Sequence, residues 1–231
     1  MALDTSFGEV RYFEDFLYDV IADAAEISVY EAGTGTAEIN AAAADGRIRL
    51  TSGGAGSDEI VSVSFGDMNW TAGVDLQMEA RIILSNLTDV RYFVGFGDTI
   101  AETGETMFDN PADVLAIGTQ SDAFGLFYDN DATTKELFAV GAKTDSITIN
   151  SSVGAEYNPV AETPTTLGCH LSADRKVACF YVDGKEVYRI DSSTTLVAAV
   201  DLVPCVCIYD QGTTFNCDVD YIYAKKSRAS A

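Results

Sequence analysis

Strict alternation of apolar and polar residues dominates this chain. Over residues 74–84, Val74, Leu76, Met78, Ala80, Ile82 and Leu84 form an apolar row, and Asp75, Gln77, Glu79 and Arg81 form a polar one. Successive side chains of a strand point to opposite faces, so this stretch predicts a strand with one face buried and one wet. Residues 165–191 predict a three-stranded meander. Leu167, Cys169 and Leu171 alternate with Gly168 and His170, and Val177, Cys179 and Tyr181 alternate with Ala178, Phe180 and Val182. A polar turn joins these two strands, and Asp183-Gly184 supplies the positive-φ pair of a two-residue hairpin turn into the third. Further strands are predicted at 26–30, 47–51, 59–65, 91–96, 202–209 and 215–223, and at 114–118, 124–128, 137–140 and 146–149, each of these last four ended by a Gly, Asn or Asp cluster. In the last of these Phe215, Cys217, Val219, Tyr221 and Tyr223 are expected to face one way and Asn216, Asp218 and Asp220 the other.

One stretch departs from this period. Between residues 10 and 25, Phe13, Phe16, Leu17, Val20 and Ile21 recur at helical spacing with Asp15 and Asp19 opposite, which predicts a short amphipathic helix. The same F-E-D-F-L run also fits the opening of a first strand. Residues 1–25 are therefore expected to be an N-terminal arm, and residues 26–231 a single β-sandwich domain, since no linker or fixed-period repeat divides them. The five apolar side chains of the arm either cover one edge of the sandwich or are the candidate partner-binding set, docking on a neighbouring subunit. The fold class expected is all-β, an antiparallel two-sheet sandwich.

The segments M-E-A-R-I-I-L, R-Y-F-V-G-F-G-D, F-G-L-F-Y-D-N-D, F-Y-V-D-G-K, L-V-P-C-V and V-D-Y-I-Y-A follow one another from about Asp45 onward. In that order they resemble the concanavalin-A-like (laminin-G-like) jelly-roll sandwich found in virion proteins of tailed bacteriophages. The resemblance implies a virion structural protein of the capsid decoration or cement type. Its partners would be the major capsid protein or other virion proteins, its state a homo-oligomer such as a trimer, and its location the virion, assembled in the host cytoplasm. The alternative implied by the same sandwich is a carbohydrate-binding, lectin-like tail or fibre adhesin, for which Trp70 and Tyr209 are the candidate exposed aromatics. Laminin-G-like domains hold calcium at a sandwich rim through hard oxygen ligands. Asp129 and Asp131 on one hairpin, with Asp98 from a second strand, are the matching calcium candidates; no other cofactor is implied.

Charge and candidate chemistry narrow the classes. A formal net charge of −22 and a pI near 4.1 set nucleic acid and anionic membranes against this chain, over a screening length of about 8–10 Å. No run of about 18 apolar residues predicts a membrane-spanning helix. The start MALDTSFGEVRYFEDF lacks a basic region followed by an apolar core, so no secretory signal is expected and the chain is expected to be made inside a cell. All five cysteines lie in apolar strand contexts and are expected to be free buried thiols. A hairpin centred on Gly212 would nevertheless set Cys207 opposite Cys217 at bridging distance. The E-x-D-x-x-E strand of sandwich glucanases is absent, and Asp75 with Glu79 lacks a third carboxylate. Asp218 and Asp220 form a bare D-V-D, expected to be solvated. His170 is the sole histidine and no G-x-S-x-G accompanies it, so it is expected to be a bystander. No enzymatic activity is expected.

Overall fold

Tertiary pairing converts nearly every alternating stretch into strand. The computed structural model describes residues 3–5, 9–17, 27–40, 43, 46–54, 60–65, 70–98, 108–109, 114–118 and 120–227. In chain order the strands are β1 (Leu3–Thr5), β2 (Glu9–Glu14), β3 (Ser28–Glu31), β4 (Thr36–Ile39), β5 (Ile48–Thr51), β6 (Ile60–Ser64) and β7 (Trp70–Thr71). They continue with β8 (Leu76–Leu84), β9 (Val90–Gly97), β10 (Phe108–Asp109), β11 (Ala116–Ile117), β12 (Ala123–Asp129) and β13 (Leu137–Lys143). The last six are β14 (Ser146–Ser152), β15 (Thr165–Leu171), β16 (Val177–Val182), β17 (Lys185–Asp191), β18 (Asp201–Asp210) and β19 (Asn216–Ser227). The helical residues among those described are one 3-10 turn, Ala155–Tyr157.

Two antiparallel sheets form the sandwich. Sheet I runs β1-β2-β19-β8-β15-β16-β17, with β4 and β5 attached through β19. Sheet II runs β14-β13-β12-β9-β18-β6-β3, with β7 on β18. The apolar row Leu76, Met78, Ala80, Ile82 and Leu84 of β8 faces Val94 and Phe96 of β9 and Phe124 and Leu126 of β12 in the shared core. Burial of each such side chain contributes about 1.5–3 kcal/mol, which makes this layer the main source of stability. The predicted 183–184 turn is present, with positive φ at both Asp183 (49°) and Gly184 (74°).

The outer faces of the two sheets differ, and that difference positions the site. On sheet II, Phe93, Phe127, Cys205, Cys207 and Tyr209 form a second buried cluster beneath Phe108 and Leu115. Gly95 and Gly125 sit opposite each other there. A Cβ on Gly95 would lie 2.3 Å from the Phe124 carbonyl and 2.7 Å from the Phe93 ring, so the bare backbones let that ring lie flat on the sheet. Sheet II is thus covered on both sides, whereas among the described residues no such layer lies on the outer face of sheet I, where the polar row of β8 points.

Several expectations change. Residues 9–14 are strand, not helix: β2 pairs with β19, with Tyr12 turned inward and Arg11 and Phe13 outward. Val10, Tyr12 and Phe13 favour a pleated half-buried surface, and the hydrogen bonds of β19 settle the choice. The described arm residues do not share one face. Phe13 is 48% and Leu17 66% exposed, Phe16 is 1% exposed and packed in the core, and Val20 and Ile21 lie outside the described residues. Between the strands predicted at 26–30 and 47–51 the chain forms a further strand, β4. Cys207 and Cys217 do not face each other: Cys207 lies in the outer cluster of sheet II and Cys217 in the core between the sheets, and all five cysteines are free.

Candidate functional site

The register of sheet I lines up its outward side chains into two straight rows. One row reads Arg11 on β2, Lys225 on β19, Gln77 on β8, His170 on β15, Cys179 on β16 and Arg189 on β17. The next row reads Phe13, Tyr223, Glu79, Gly168, Tyr181 and Glu186 on the same six strands. At about 4.8 Å between strands each row spans about 24 Å. The bare Gly168 leaves a notch in the second row between Glu79 and Tyr181. A Cβ there would approach the Met78 carbonyl at 3.1 Å and the Cβ atoms of Tyr181 and Glu79 at 3.7 and 3.8 Å.

A β-bulge makes the aromatic part of this face. The register slips between Val219 and Tyr221, so Asp220 and Tyr221 both turn outward and the alternation of β19 inverts beyond them. Ile222 and Ala224 enter the core, while Tyr221, Tyr223 and Lys225 stand outside. This corrects the expectation that Tyr221 and Tyr223 share the inward row of Cys217 and Val219. A signal was present in the sequence: carried on unbroken, that row would have sent Lys225 into the core.

Carboxylates hold the long side chains of the face upright. Arg81 and Arg47 share Asp220 at 3.0 and 3.5 Å, and Arg49 grips Asp218 through two nitrogens at 2.7 and 3.0 Å. The D-V-D pair is therefore an anchor for three arginines instead of a solvated stretch. The Tyr221 hydroxyl donates to Glu79 Oε1 at 2.6 Å, and its ring lies 5.7 Å from that of Phe13. Burial, then the bond to Glu79, pushes the Tyr221 phenol up to about 12. Such partly exposed pairs contribute roughly 0–1 kcal/mol each, so their role is orientation more than stability.

Beside the middle of the first row Glu9, Asp75, Gln77, His170, Lys225 and Ser227 line a cleft of about 130 Å³. His170 Nε2 stands 3.8 Å from Asp75 Oδ1, which also accepts the Ala173 N–H at 3.0 Å. Burial lowers the His170 pKa further than Asp75 raises it, so the imidazole is neutral at pH 7, a donor at one nitrogen and an acceptor at the other. Around the edge, sharing Ser227, lies a larger apolar cleft of about 540 Å³ lined by Thr71, Ala72, Gly73, Val74, Ala199 and Lys226.

The other sequence candidates lie elsewhere. Trp70 is 0% and Tyr209 1% exposed, so neither presents a ring to a ligand. Asp129 and Asp131 share the β12–β13 hairpin, but Asp98 adjoins Asp122 at the opposite end of β12. Seven residues of strand put about 23 Å between them, too far to share an ion. Asp129 is engaged by Arg91 at 3.1 Å and by the Gln211 amide at 2.9 Å. Asp98 accepts from the Ser121 hydroxyl and the Asp122 N–H. Asp98 is therefore not placed to join Asp129 and Asp131 at one ion. Among the described residues no three or more His, Cys, Asp or Glu side chains are grouped to hold a metal ion.

No protein-family model matches the chain, and no curated protein matches its sequence. Solved structures do match its fold. A protein of unknown function from Shewanella oneidensis superposes with a TM-score of 0.67 at 14% identity, over 100% of this chain and 92% of its own. Peanut lectin superposes at 0.64 and 12% identity over 96% and 99%. An endo-β-1,4-glucuronan lyase from Trichoderma reesei superposes at 0.61 and 10% over 94% and 95%. The fold is accordingly the lectin-like, concanavalin-A-like jelly roll. The expectation of a chain without enzymatic activity is overturned by the last of these neighbours: the same sandwich serves a glycan-cleaving enzyme, so neither the fold nor a missing E-x-D-x-x-E strand excludes turnover.

Proposed function

We propose that this protein binds a carbohydrate on the outer face of sheet I. The observation that carries the reading is the pair of cross-strand rows, in which tyrosine and phenylalanine rings alternate with hydrogen-bonding side chains around the Gly168 notch. Sugar rings offer C–H faces to aromatic side chains and hydroxyls to paired donors and acceptors, and this face supplies both. The neighbours support a sugar-directed reading over the capsid-lattice one: peanut lectin is a lectin and the Trichoderma enzyme acts on a polysaccharide. The virion and trimer expectations receive no support from them. Whether the bound sugar is also cleaved is read by following product release in the same assay.

The test is a glycan array followed by calorimetric titration of the best ligand. Wild type should give a defined glycan signal. Gly168→Val fills the notch with a strand-favouring residue, and Tyr223→Ala removes a ring; each should weaken binding about tenfold or more. A wild-type protein silent on every glycan, or variants that bind unchanged, would remove the reading.

A further inference from the structure

Ion pairing on the outer face of sheet I leaves charge of one sign over. Arg11 and Lys225 hold Glu9 at 2.6 and 3.1 Å, and Arg47 and Arg81 hold Asp220 at 3.5 and 3.0 Å. Arg49 holds Asp218 at 2.7 Å, and Arg189 holds Asp191 at 3.1 Å. Three carboxylates on or beside the two rows have no Arg or Lys partner among the described residues. Glu79 accepts the Tyr221 hydroxyl at 2.6 Å and Glu186 the Tyr181 hydroxyl at 3.5 Å. Asp75 accepts the Ala173 N–H at 3.0 Å and faces the neutral His170 at 3.8 Å. A carboxylate has about four lone-pair sites, so one hydroxyl leaves Glu79 and Glu186 with acceptor capacity to spare. These two bracket the notch along the second row, since Glu79 is the register partner of Gly168, Gly168 of Tyr181 and Tyr181 of Glu186. The notch is therefore walled by a carboxylate on one side and a phenol on the other, on a molecule whose formal net charge is −22.

Resting on the carbohydrate reading above, we propose that the glycan carries free amino groups, and that the ammonium of a hexosamine unit sits at Gly168 between Glu79 and Tyr181. An ammonium is a compact point charge with three donors. Glu79 offers it a charge-assisted hydrogen bond, and Tyr181 flanks the notch with a ring of the kind that attracts cations. Gly168 makes the room. A Cβ there would press on the Met78 carbonyl at 3.1 Å, so a larger residue would fill the place the ammonium takes. An N-acetylated sugar would bring a neutral amide to a carboxylate that lacks a cation, and a uronate would bring a like charge, which is repelled. The surplus acids of the chain act in the same direction within a screening length of about 8 Å.

The experiment titrates a hexosamine oligomer in two forms, with free amines and fully N-acetylated, into wild type, Glu79→Gln and a Glu136→Gln control at pH 6, where the amines are protonated. Glu79→Gln keeps an oxygen for the Tyr221 hydroxyl, and circular dichroism confirms that it is folded. Glu136 lies on the β12–β13 connection of sheet II, so its variant removes the same charge away from the face. The free-amine form should bind wild type and Glu136→Gln alike, and bind Glu79→Gln about tenfold or more weakly. The acetylated form should bind all three weakly. Equal binding of the two forms, or free-amine binding that Glu79→Gln leaves unchanged, would overturn the amine assignment and leave the carbohydrate reading standing. A loss in Glu136→Gln as large as in Glu79→Gln would assign the effect to the total charge of the chain and overturn the placement at Gly168. Silence of both forms while another glycan binds would overturn the amine assignment alone, and silence of every glycan would overturn the two readings together.

Discussion

Removing Arg91 should be among the costliest single changes outside the core. Its side chain is 14% exposed and lies between Asp109 at 3.0 Å and Asp129 at 3.1 Å, and Asp129 is 2% exposed. The pair ties β9 to β12 and both to β10, the short strand that covers the outer face of sheet II. Arg91→Met keeps the stem but leaves Asp129 as a buried charge. Two of its contacts survive, from the Gln211 amide and the Asp131 N–H, both at 2.9 Å. Breaking a buried pair costs about 3–5 kcal/mol, and the surviving contacts place this case near the lower end, about 3 kcal/mol. Trp70, the sole tryptophan and fully buried, reports unfolding by its fluorescence. With an m-value of about 3 kcal/mol/M the urea midpoint should fall by about 1 M. Arg91→Met/Asp129→Asn removes both charges and should recover most of the loss, since an uncharged pair leaves no ion unsolvated. A single variant within about 0.5 M of the wild-type midpoint, or a double variant no better than the single, would refute the reasoning.

Glu14 gives a pH test. Burial raises its carboxyl above the ordinary 4.5, against the pull of the Phe16 N–H it accepts at 2.8 Å. A raised acid stabilises the fold below its unfolded value and loses that contribution as pH rises through the folded value. Glu14→Gln keeps the acceptor without the charge, so it should melt about 2 °C higher at pH 7, with the difference closing toward pH 4; a lower melting temperature at pH 7 contradicts this. The thiols give another test. All five cysteines are buried, and burial pushes Cys169, Cys205 and Cys217 up. A thiol reagent at pH 8 should label the native protein slowly and all five sites promptly in denaturant, and rapid labelling of the native state would show the core to be open.

Local rules carried the sequence far where they acted alone. Asp183-Gly184 demanded a positive-φ turn and makes one, and the alternation of residues 74–84 placed Gln77, Glu79 and Arg81 outward correctly. His170 was also set on the side away from Cys169 and Leu171. What escaped was decided by pairing across the chain. The helical spacing of Phe13, Phe16 and Leu17 lost to the edge offered by β19. The bulge at Asp220 reversed the faces of Tyr221 and Tyr223 with no turn residue to announce it. Trp70 and Tyr209 are buried by elements distant in sequence, and the separation of Asp98 from Asp129 follows from the antiparallel register of β9 and β12.

The burial asymmetry of the two sheets decides where recognition can occur. A flat sheet face becomes a binding surface only if nothing already sits on it. Sheet II spends its outer face on a second hydrophobic layer, with Phe93 and Phe127 beneath Phe108 and Arg91 buried at the margin. Among the described residues no such layer lies on sheet I, so the outward side chains of six strands stand at a fixed spacing, with Gly168 and Cys179 the buried members of the two rows. The apolar rows beneath hold that spacing rigidly, and exposed pairs on top contribute roughly 0–1 kcal/mol each. Residues there can therefore be exchanged with small cost to the fold, which is the condition under which one sandwich can carry different sugar specificities. In this chain the outer face of sheet I carries rings and a glycine notch, and the proposed carbohydrate binding rests on those side chains rather than on the jelly roll that presents them.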